Sequence, residues 1–266
     1  MDYDIRTAES ATQTLADLTG IPNNIWIYES YLFIGNIDAE YLREVIEKYN
    51  GRLPAFEDIF LIISHITTSS NDCAEIAENG IGDLQSAYRN NNSELRQFLD
   101  SHGIEIHIDE SRLVYNGISY SIEYDRFNCP HRDDSIEYKG WCIGRKFYFD
   151  NGLCGFFSID SEQPYGGNVH ERPEILNDID NLLETNLSDE WKRSHSAYEV
   201  VLKIHSSDLE LYEHNNDDNE TKVIGLLLDA FYEMCSGPSE VYAQLKPCIR
   251  VSADKIISIH PFEKWK

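Results

Sequence analysis

Long apolar runs are missing from this sequence of 266 residues. The longest examples, IFLII at residues 59–63 and IGLLL at residues 224–228, fall far short of the about 20 residues that a membrane-spanning helix requires. The first ten residues, MDYDIRTAES, are acidic and lack the apolar core of a signal peptide. These absences predict a soluble, cytoplasmic protein without a membrane partner.

Closely spaced cysteine pairs are absent as well. The six cysteines are scattered along the chain, and no two of them form a C-x-x-C pair. Cys129 and His131 come closest to a ligand pair, but too few neighbours follow at the spacing of a zinc site. We therefore predict no metal site and expect reduced thiols, several of them buried.

Basic residues are scarce. The chain has 22 Lys and Arg residues against 47 Asp and Glu residues, a formal net charge of −25. Such a surface repels phosphate backbones, which argues against sequence-independent DNA binding. The acidity by itself fits simple solubility. A second interpretation is an acidic inhibitor or decoy that docks on a basic partner.

Apolar side chains are nevertheless abundant enough for a core, with 41% hydrophobic and 12% aromatic residues. Helix and strand signals follow one another without a regular βαβ order, which predicts an α+β fold. Hairpins are expected at Asn116-Gly117 and at Asp150-Asn151-Gly152. Strand patterns lie at residues 23–35, 57–68, 104–124, 139–160, 197–205 and 239–262, and helix patterns at residues 5–18, 37–51, 69–80, 93–103, 174–184 and 221–237.

Three positions could carry chemistry. His65 ends a buried apolar strand, with Thr67 two residues further on the same face and a helix N-terminus near residue 71 that could bind a pyrophosphate. Tyr148, in the alternating segment KFYFD, offers a ring on which a flat ligand could stack. Glu240 opens a strand after a Gly-Pro break. Taken singly, each fits an ordinary role: a structural histidine, a core aromatic among 16 tyrosines, and a surface acid.

Taken in order, these segments resemble the ADP-ribosyltransferase superfamily of the H-Y-E type. The similarity rests on His65-Ile66-Thr67, on CAEIAENGI with Gly80, on FYF at residues 147–149 and on Ser239-Glu240-Val241. The tail IRVSADKIISI is similar to the closing strands of DarT-like and RNA 2′-phosphotransferase-like members. The resemblance spans roughly residues 58–262 and implies a mixed, mainly antiparallel split β-sheet core with flanking helices.

The resemblance also implies a domain organisation. Residues 58–266 would form the ADP-ribosyltransferase-like domain, with an insertion at about residues 84–140, and residues 1–57 a helical and strand extension packed on the core. The long gap between Gly80 and Tyr148 leaves the stacking tyrosine open, and Tyr165 or Tyr88 could take its role.

By the same resemblance, the protein is an NAD-dependent mono-ADP-ribosyltransferase that acts on a protein or nucleic acid, in phage–host conflict or as a toxin. NAD would be its substrate, held by His65, Ile66, Thr67, Gly80 and Tyr148. Loss of nicotinamide builds positive charge on the ribose, as in glycoside cleavage, and Glu240 would stabilise that charge. An NAD glycohydrolase and a non-catalytic acidic binding protein stay open as alternatives.

Two further expectations concern the surroundings of this site. A cation opposite the NAD diphosphate could be Arg89, Arg145 or Arg172, and the sequence does not choose between them. The segment YGGNVHERPE at residues 165–174, with His170 and Arg172, could recognise the acceptor. Its other interpretation is a plain turn that leads into a helix starting at Pro173.

Overall fold

The computed structural model describes residues 1–32, 38–150, 152–160, 162, 164–211 and 216–265. The chain is α+β, as expected, with antiparallel pairing throughout its sheets apart from one short parallel strand. No helix in these ranges is both long and apolar enough to cross a membrane. In chain order the elements are β1 (Asp2–Tyr3), α1 (Ala8–Thr19), α2 (Asn23–Leu32), α3 (Ala39–Lys48), β2 (Phe60–Ser69), α4 (Ala74–Asn79), α5 (Leu84–Arg89), α6 (Glu94–Ser101), β3 (Ile104–His107), β4 (Arg112–Tyr115), β5 (Ile118–Ser121), α7 (Ile136–Tyr148), β6 (Cys154–Ser158), α8 (Glu174–Leu183), α9 (Leu187–Ser194), β7 (Ser196–His205), α10 (Asn219–Ser236), β8 (Val241–Gln244) and β9 (Ile256–Pro261).

The main sheet has the strand order β8-β6-β2-β7-β9, and β1 pairs in parallel with β2. Strands β2 and β7 form a continuous ladder from Phe60–His205 to Ser69–Ser196. On its other side β2 shares a single register pair with β6, Ser64 with Phe156, in the described part of the chain. The sheet therefore opens between β2 and β6 beyond Ser64, and this opening positions the site.

The main hydrophobic core lies between this sheet and helices α1, α3 and α10. The N-terminal elements contribute fully buried side chains to it, among them Tyr3, Leu15 and Trp26. Residues 1–57 thus pack on the same core as the later strands. A strand was expected at residues 23–35, and this was wrong for Asn23–Leu32, which form α2. The rest of that segment, residues 33–35, lies outside the described residues.

Long-range contacts explain the helical state of α2. The Trp26 ring meets Phe231 of α10 edge-on, with the ring centroids 6.0 Å apart. Three residues later, the buried carboxylate of Glu29 accepts hydrogen bonds from Lys48 Nζ at 2.8 Å and Tyr49 Oη at 2.6 Å. A spacing of three residues brings both side chains to one helical face. The aromatic and β-branched content of the segment favours a strand only in isolation.

A second hydrophobic cluster brings together α5, α6, α7, α8, α9 and the small sheet β3-β4-β5. The predicted hairpin at Asn116-Gly117 joins β4 to β5, and both turn residues have positive φ, as the sequence suggested. The insertion expected at about residues 84–140 falls within this cluster, but the cluster continues to Trp191.

A second hairpin was expected around Asp150-Asn151-Gly152; its expected first strand is a helix, so this expectation was wrong, and Asn151 itself lies outside the described residues. Residues 136–148 form α7, capped by Ser135, whose Oγ accepts from Tyr138 N at 3.2 Å. The buried face of α7 holds Gly140 and Gly144, where a Cβ atom would stand 2.1 Å from the carbonyl oxygens of Ser121 and Ile122. These glycines let the helix lie directly against the end of β5. The local sequence pattern does not predict this contact.

All six cysteines are free thiols. Only Cys73 is buried, so the expectation of several buried thiols was wrong. Cys142 and Cys154 are half-buried, and the other three are exposed.

Candidate functional site

A cleft of about 360 Å³ lies where β2 and β6 part. This volume is within the range of small-molecule sites, about 300–1,000 Å³. The sequence-predicted residues His65, Ile66, Thr67 and Gly80 all line it. Further lining residues are Asn71, Glu75, Asp83, Asn90, Glu94, Lys146, Asp150, Phe156, Tyr165, Arg172, Glu174, Tyr242 and Arg250.

His65 is half-buried in β2, and its imidazole is oriented by the neighbouring strand. Its Nδ1 atom lies 2.7 Å from the backbone oxygen of Cys154, the first residue of β6. Because a carbonyl oxygen only accepts, Nδ1 carries the proton and Nε2 is left as an acceptor. No described residue forms a hydrogen bond with Nε2. Burial lowers the pKa of His65, although the Cys154 contact opposes it, so the ring is neutral near pH 7.

The two neighbours of His65 on β2 differ in their environment. The side chain of Ile66 is buried with Phe156 and Trp265 in a small third cluster beneath the cleft. Thr67 is half-buried, shares with His65 the strand periodicity that the sequence predicted, and lines the cleft.

The expected anion site at a helix N-terminus near residue 71 is wrong. Helix α4 starts only at Ala74, has six residues, and follows Cys73 in a left-handed conformation with φ 56°. Its first N–H groups are already bonded: Cys73 N donates to Ser69 Oγ at 2.9 Å, and Ala74 N donates to Asn71 Oδ1 at 3.2 Å. Local side chains therefore use the donors that a pyrophosphate would need.

Gly80 lines the cleft, but the backbone conformation and packing at this position also require a glycine. Its φ is +80°, and a Cβ atom there would stand 2.2 Å from the backbone oxygen of Val251. The adjoining Ile81 and Val251 exchange two backbone hydrogen bonds of 2.8 Å. The same contact brings Arg250 to the cleft, where its Nη2 donates to the oxygen of Asn79 at 3.1 Å.

Tyr148 does not line the cleft. It ends α7, where its hydroxyl donates to the backbone oxygen of Ile108 at 2.6 Å and its ring packs on the second cluster. Of the two other tyrosines considered, Tyr88 is buried in the same cluster, and its hydroxyl accepts from Ile106 N at 2.7 Å. Tyr165 lies in the cleft.

Tyr165 forms an aromatic wall with Tyr242, a residue that the sequence analysis missed. The two rings stack with centroids 6.2 Å apart and an interplanar angle of 22°. Phe156 meets both rings edge-on, at 5.6 Å and 5.8 Å. Tyr242 is 43% exposed, so its ring is accessible in the cleft. Its alternation with Val241 and Ala243 in β8 is the only local signal that could have indicated it.

Glu240 is exposed and is not among the residues that line the cleft. It directly precedes β8, at the edge of the main sheet, and stands two residues before Tyr242, about 7 Å along an extended backbone. The turn before it is held by buried Glu233, whose carboxylate accepts from Ser239 N at 3.0 Å and from Ser158 Oγ at 2.6 Å. These hydrogen bonds hold the backbone that leads into Glu240, but they do not bring the Glu240 side chain to His65.

The cations of the cleft differ in their partners. Burial disfavours the charge on Lys146, yet the nearby carboxylates of Glu174 at 2.7 Å and Asp150 at 3.1 Å raise its pKa. Arg172 is half-buried, and its guanidinium makes no hydrogen bond or ion pair with any residue that the structure describes.

The two other arginines considered do not line the cleft. Arg89 pairs with Asp109 at 2.6 Å beside a separate surface depression. Arg145 is exposed on α7. Of the three candidates, only Arg172 remains as a partner for a diphosphate.

Two carboxylates at the α4–α6 side of the cleft were not singled out from the sequence. Burial raises the pKa of Glu75, while Arg250 and a hydrogen bond from Asn90 oppose the rise. Glu94 accepts from Ser70 N at 2.8 Å and lies 3.9 Å from His195 Nε2. Their positions after a polar turn and at a helix start resemble those of ordinary surface acids, so the local sequence carried no signal.

The segment of residues 165–174 does border the cleft, through Tyr165, Val169, Arg172, Pro173 and Glu174. Helix α8 begins at Glu174, directly after Pro173, so the interpretation as a turn into a helix also describes it. His170 is not among the lining residues, and its ring centroid lies 5.5 Å from that of Trp265.

The chain matches no protein-family model, no curated protein and no solved structure. Within the described ranges, no three His, Cys, Asp or Glu side chains stand close enough to hold a metal ion. The geometry of the cleft therefore carries the functional argument.

Proposed function

We propose that this protein binds NAD in the cleft and transfers its ADP-ribose to a macromolecule. The observation that supports this most is the meeting of an oriented imidazole and an accessible aromatic wall in one cleft. His65 is fixed through Nδ1 and has Nε2 available, and the stacked rings of Tyr165 and Tyr242 line the same space. A dinucleotide with sugar hydroxyls and flat rings matches both features.

Each part of NAD has a suitable partner. The neutral Nε2 of His65 and the hydroxyl of Thr67 accept hydrogen bonds from ribose hydroxyls. The nicotinamide ring stacks on Tyr242, because flat π-systems stack favourably on aromatic side chains. The guanidinium of Arg172, which lacks a partner among the described residues, pairs with the diphosphate.

The reaction breaks the bond between ribose C1′ and the nicotinamide nitrogen. The electron pair leaves with nicotinamide, which becomes neutral, and the sugar passes through an oxocarbenium-like state. An O–H or N–H group of the acceptor attacks C1′, forms the new bond and loses its proton to water. A carboxylate near the sugar stabilises this positive charge. In our proposal Glu240 does so for a ribose bound at the outer edge of Tyr242, which lies two residues further along the chain in β8.

One observation favours a second candidate, a protein that binds the dinucleotide without turnover. The carboxylate of Glu240 is exposed and is not part of the cleft lining. The residues proposed to bind NAD therefore line the cleft, whereas the residue proposed to stabilise the developing charge does not. An NAD glycohydrolase, in which water replaces the acceptor, uses the same binding groups.

Incubation of the purified protein with NAD separates these candidates. We expect nicotinamide release that increases when cell extract is added, with ADP-ribose adducts detected on protein or nucleic acid by mass spectrometry. Release without adducts indicates a glycohydrolase. A higher melting temperature with NAD but no release indicates a binding protein. If NAD causes neither a higher melting temperature nor nicotinamide release, the proposal is overturned.

Matched variants assign the site. Glu240→Gln should abolish release and leave the stabilisation by NAD intact, whereas Arg172→Gln should weaken both. Arg52→Gln, at an exposed arginine that does not line the cleft, serves as the control for loss of one positive charge. Release that persists in Glu240→Gln contradicts the role given to this carboxylate.

A role in phage–host conflict or as a toxin is part of the same proposal. Expression of the wild type should then arrest growth of a host cell, and expression of Glu240→Gln at the same level should not. Equal growth with both proteins would contradict the toxic role without bearing on NAD binding.

A further inference from the structure

The buried carboxylate of Glu233 is held by serine groups. Glu233 lies in α10 and is 1% exposed. Its carboxylate accepts hydrogen bonds from Ser158 Oγ at 2.6 Å and from Ser239 N at 3.0 Å, and it also accepts from Ser239 Oγ. None of these hydrogen-bond partners is a cation. We call Glu233, Ser158 and Ser239 together the serine clamp.

A buried carboxylate of this kind costs free energy. It loses its hydration, and buried charges are usually paired with a cation. Asp229, one turn earlier on α10, adds to the cost, because burial and then the charge of Glu233 raise the pKa of Asp229 to about 6. A neutral glutamine could also form hydrogen bonds with serine groups. The charge adds strength, because hydrogen bonds to a carboxylate are shorter and about twice as strong as neutral ones.

The clamp joins three elements beside the cleft. Glu233 lies near the end of α10, Ser158 is the fully buried last residue of β6, and Ser239 directly precedes Glu240. Helix α10 ends at Ser236, so only residues 237–239 lead from the helix to Glu240. The clamp ties the last of these residues back to the helix and to β6. The backbone at Glu240 is therefore held from two sides.

The pairing of β6 with β8 changes register at the same place. Phe156 stands opposite Tyr242, but Ser158 rather than Phe157 stands opposite Val241. Such a bulge redirects side chains, and bulges are frequent next to active sites. The bulge and the clamp meet at Ser158, directly across from the residue that follows Glu240. Two independent features thus fix the backbone at this point.

We propose that Glu233 is a positioning residue, which holds Glu240 through the serine clamp in the orientation that stabilises the ribose charge. This inference rests on the proposed function, in which Glu240 acts on a ribose at the outer edge of Tyr242. Glu240 is exposed, so its own surroundings do little to orient it. Anchoring of the preceding residue reduces the conformations that must be lost before the carboxylate reaches the sugar. Glu233 itself touches neither NAD nor the acceptor.

Two substitutions at the exposed Ser239 test the clamp with little risk to the fold. Ser239→Ala removes the hydroxyl bond to Glu233, whereas Ser239→Thr keeps a hydroxyl. We expect kcat for nicotinamide release to fall about tenfold in Ser239→Ala, less than the about 100-fold loss for a misplacement of about 1 Å, and to stay near the wild-type value in Ser239→Thr. The rise in melting temperature with NAD should be unchanged in both, because Ser239 does not line the cleft.

Buried variants test the other members of the clamp. Glu233→Gln and Ser158→Ala should each lower kcat and leave the stabilisation by NAD unchanged. The matched control is Ser206→Ala, because Ser206 is also fully buried and its Oγ donates to the backbone oxygen of Phe56 at 2.6 Å. The control should lower the melting temperature and keep kcat. A merely structural role of the clamp would not separate kcat from stability in this way.

Three results overturn this inference while the wild type remains active, so the proposed function stands. The first is unchanged release in Ser239→Ala and Ser158→Ala. The second is an equal loss of kcat in Ser206→Ala, which reduces the effect to stability. The third is loss of NAD stabilisation in the clamp variants, which would assign the clamp to binding. If the wild type itself releases no nicotinamide, the proposed transfer fails and the inference fails with it.

Discussion

The Nδ1 atom of His65 lies 2.7 Å from the backbone oxygen of Cys154, across the point where β2 and β6 part. A side chain thus makes the contact that a strand ladder would otherwise supply. The same bond leaves Nε2 without a partner among the described residues and holds the ring at the cleft. The opening of the sheet and the orientation of the imidazole are therefore one structural feature.

Stability should depend on pH through His65. Burial lowers the pKa of His65 below its ordinary value of 6.5, so the unfolded chain binds a proton more readily than the folded one. Its contribution is present above pH 6.5 and is lost as pH falls through the lowered pKa. His65→Gln, whose amide can still donate to Cys154, does not titrate. Urea unfolding should show the wild type losing more stability than this variant between pH 8 and pH 5.5.

The control for that experiment is His131→Gln, because the His131 side chain is 89% exposed. This variant should follow the wild type at both pH values. An equal loss of stability in the wild type and in His65→Gln would show that His65 carries no proton linkage.

Substitution of Tyr242, which the structure places in the cleft, should weaken NAD binding. Substitution of Tyr148, which the sequence suggested, should lower only the folding stability. Tyr242→Ala removes the accessible ring of the aromatic wall and should cost about 1–3 kcal/mol of NAD binding, the value of base stacking on an aromatic side chain. Tyr148→Phe loses only the bond to Ile108 and should cost about 1 kcal/mol of folding stability with NAD affinity unchanged. Calorimetric titration and urea unfolding measure the two effects. Tyr148→Ala, which also removes the ring, would restore the original assignment if it weakened NAD binding while Tyr242→Ala did not.

Two glycine-to-alanine substitutions should change the folding stability in opposite directions. Gly140→Ala places a Cβ atom 2.1 Å from the backbone oxygen of Ser121, and we expect a loss of about 1–3 kcal/mol or more from overpacking. Gly225→Ala lies in the exposed side of α10 with no atom within 4 Å of the new Cβ, and should gain about 0.5–1 kcal/mol. Urea unfolding of both variants checks the packing of α7 on β5. Tolerance of alanine at residue 140 would contradict that packing.

Asp229 on α10 should destabilise the protein at neutral pH. Burial, with a smaller contribution from Glu233, raises the pKa of Asp229 from 3.8 to about 6. The folded state therefore holds the proton more tightly, and this stability is present below pH 3.8 and lost as pH rises through about 6. Asp229→Asn imitates the protonated form and should gain on the order of 2 kcal/mol at pH 7.

The gain from Asp229→Asn should vanish near pH 4, where the wild type is itself protonated. Asp134→Asn, an exposed acid, controls for the loss of one negative charge from an acidic protein. A gain that is equal at pH 4 and pH 7 would show that the effect does not come from proton linkage.

Local chemistry made several elements predictable. Helix α3 starts after Asp38, whose carboxylate accepts from Tyr41 N at 2.9 Å, and α6 starts after Ser93 in the same way. The strand that carries His65 and the turn at Asn116-Gly117 were also recognisable, because a buried apolar run and an Asn-Gly pair act within a few residues. The strand was expected to end near His65, and this was wrong, because its pairing with β7 continues to Ser69. The family resemblance predicted His65, Thr67 and Gly80 in one site, and all three line the cleft.

Contacts between distant segments decided the rest. α2 and α7 are helices because Trp26 meets Phe231 and because Gly140 fits against Ser121, and their aromatic content suggested strands. Strand pairing places Tyr242 in the cleft, and helix packing places Tyr148 outside it. No local sequence pattern encodes either contact. By itself the sequence determined the charge, the helix caps, the turns and the strand that carries His65, since these depend on neighbours in the chain. Only the tertiary structure decided which side chains share the cleft, because that depends on where separate elements pack.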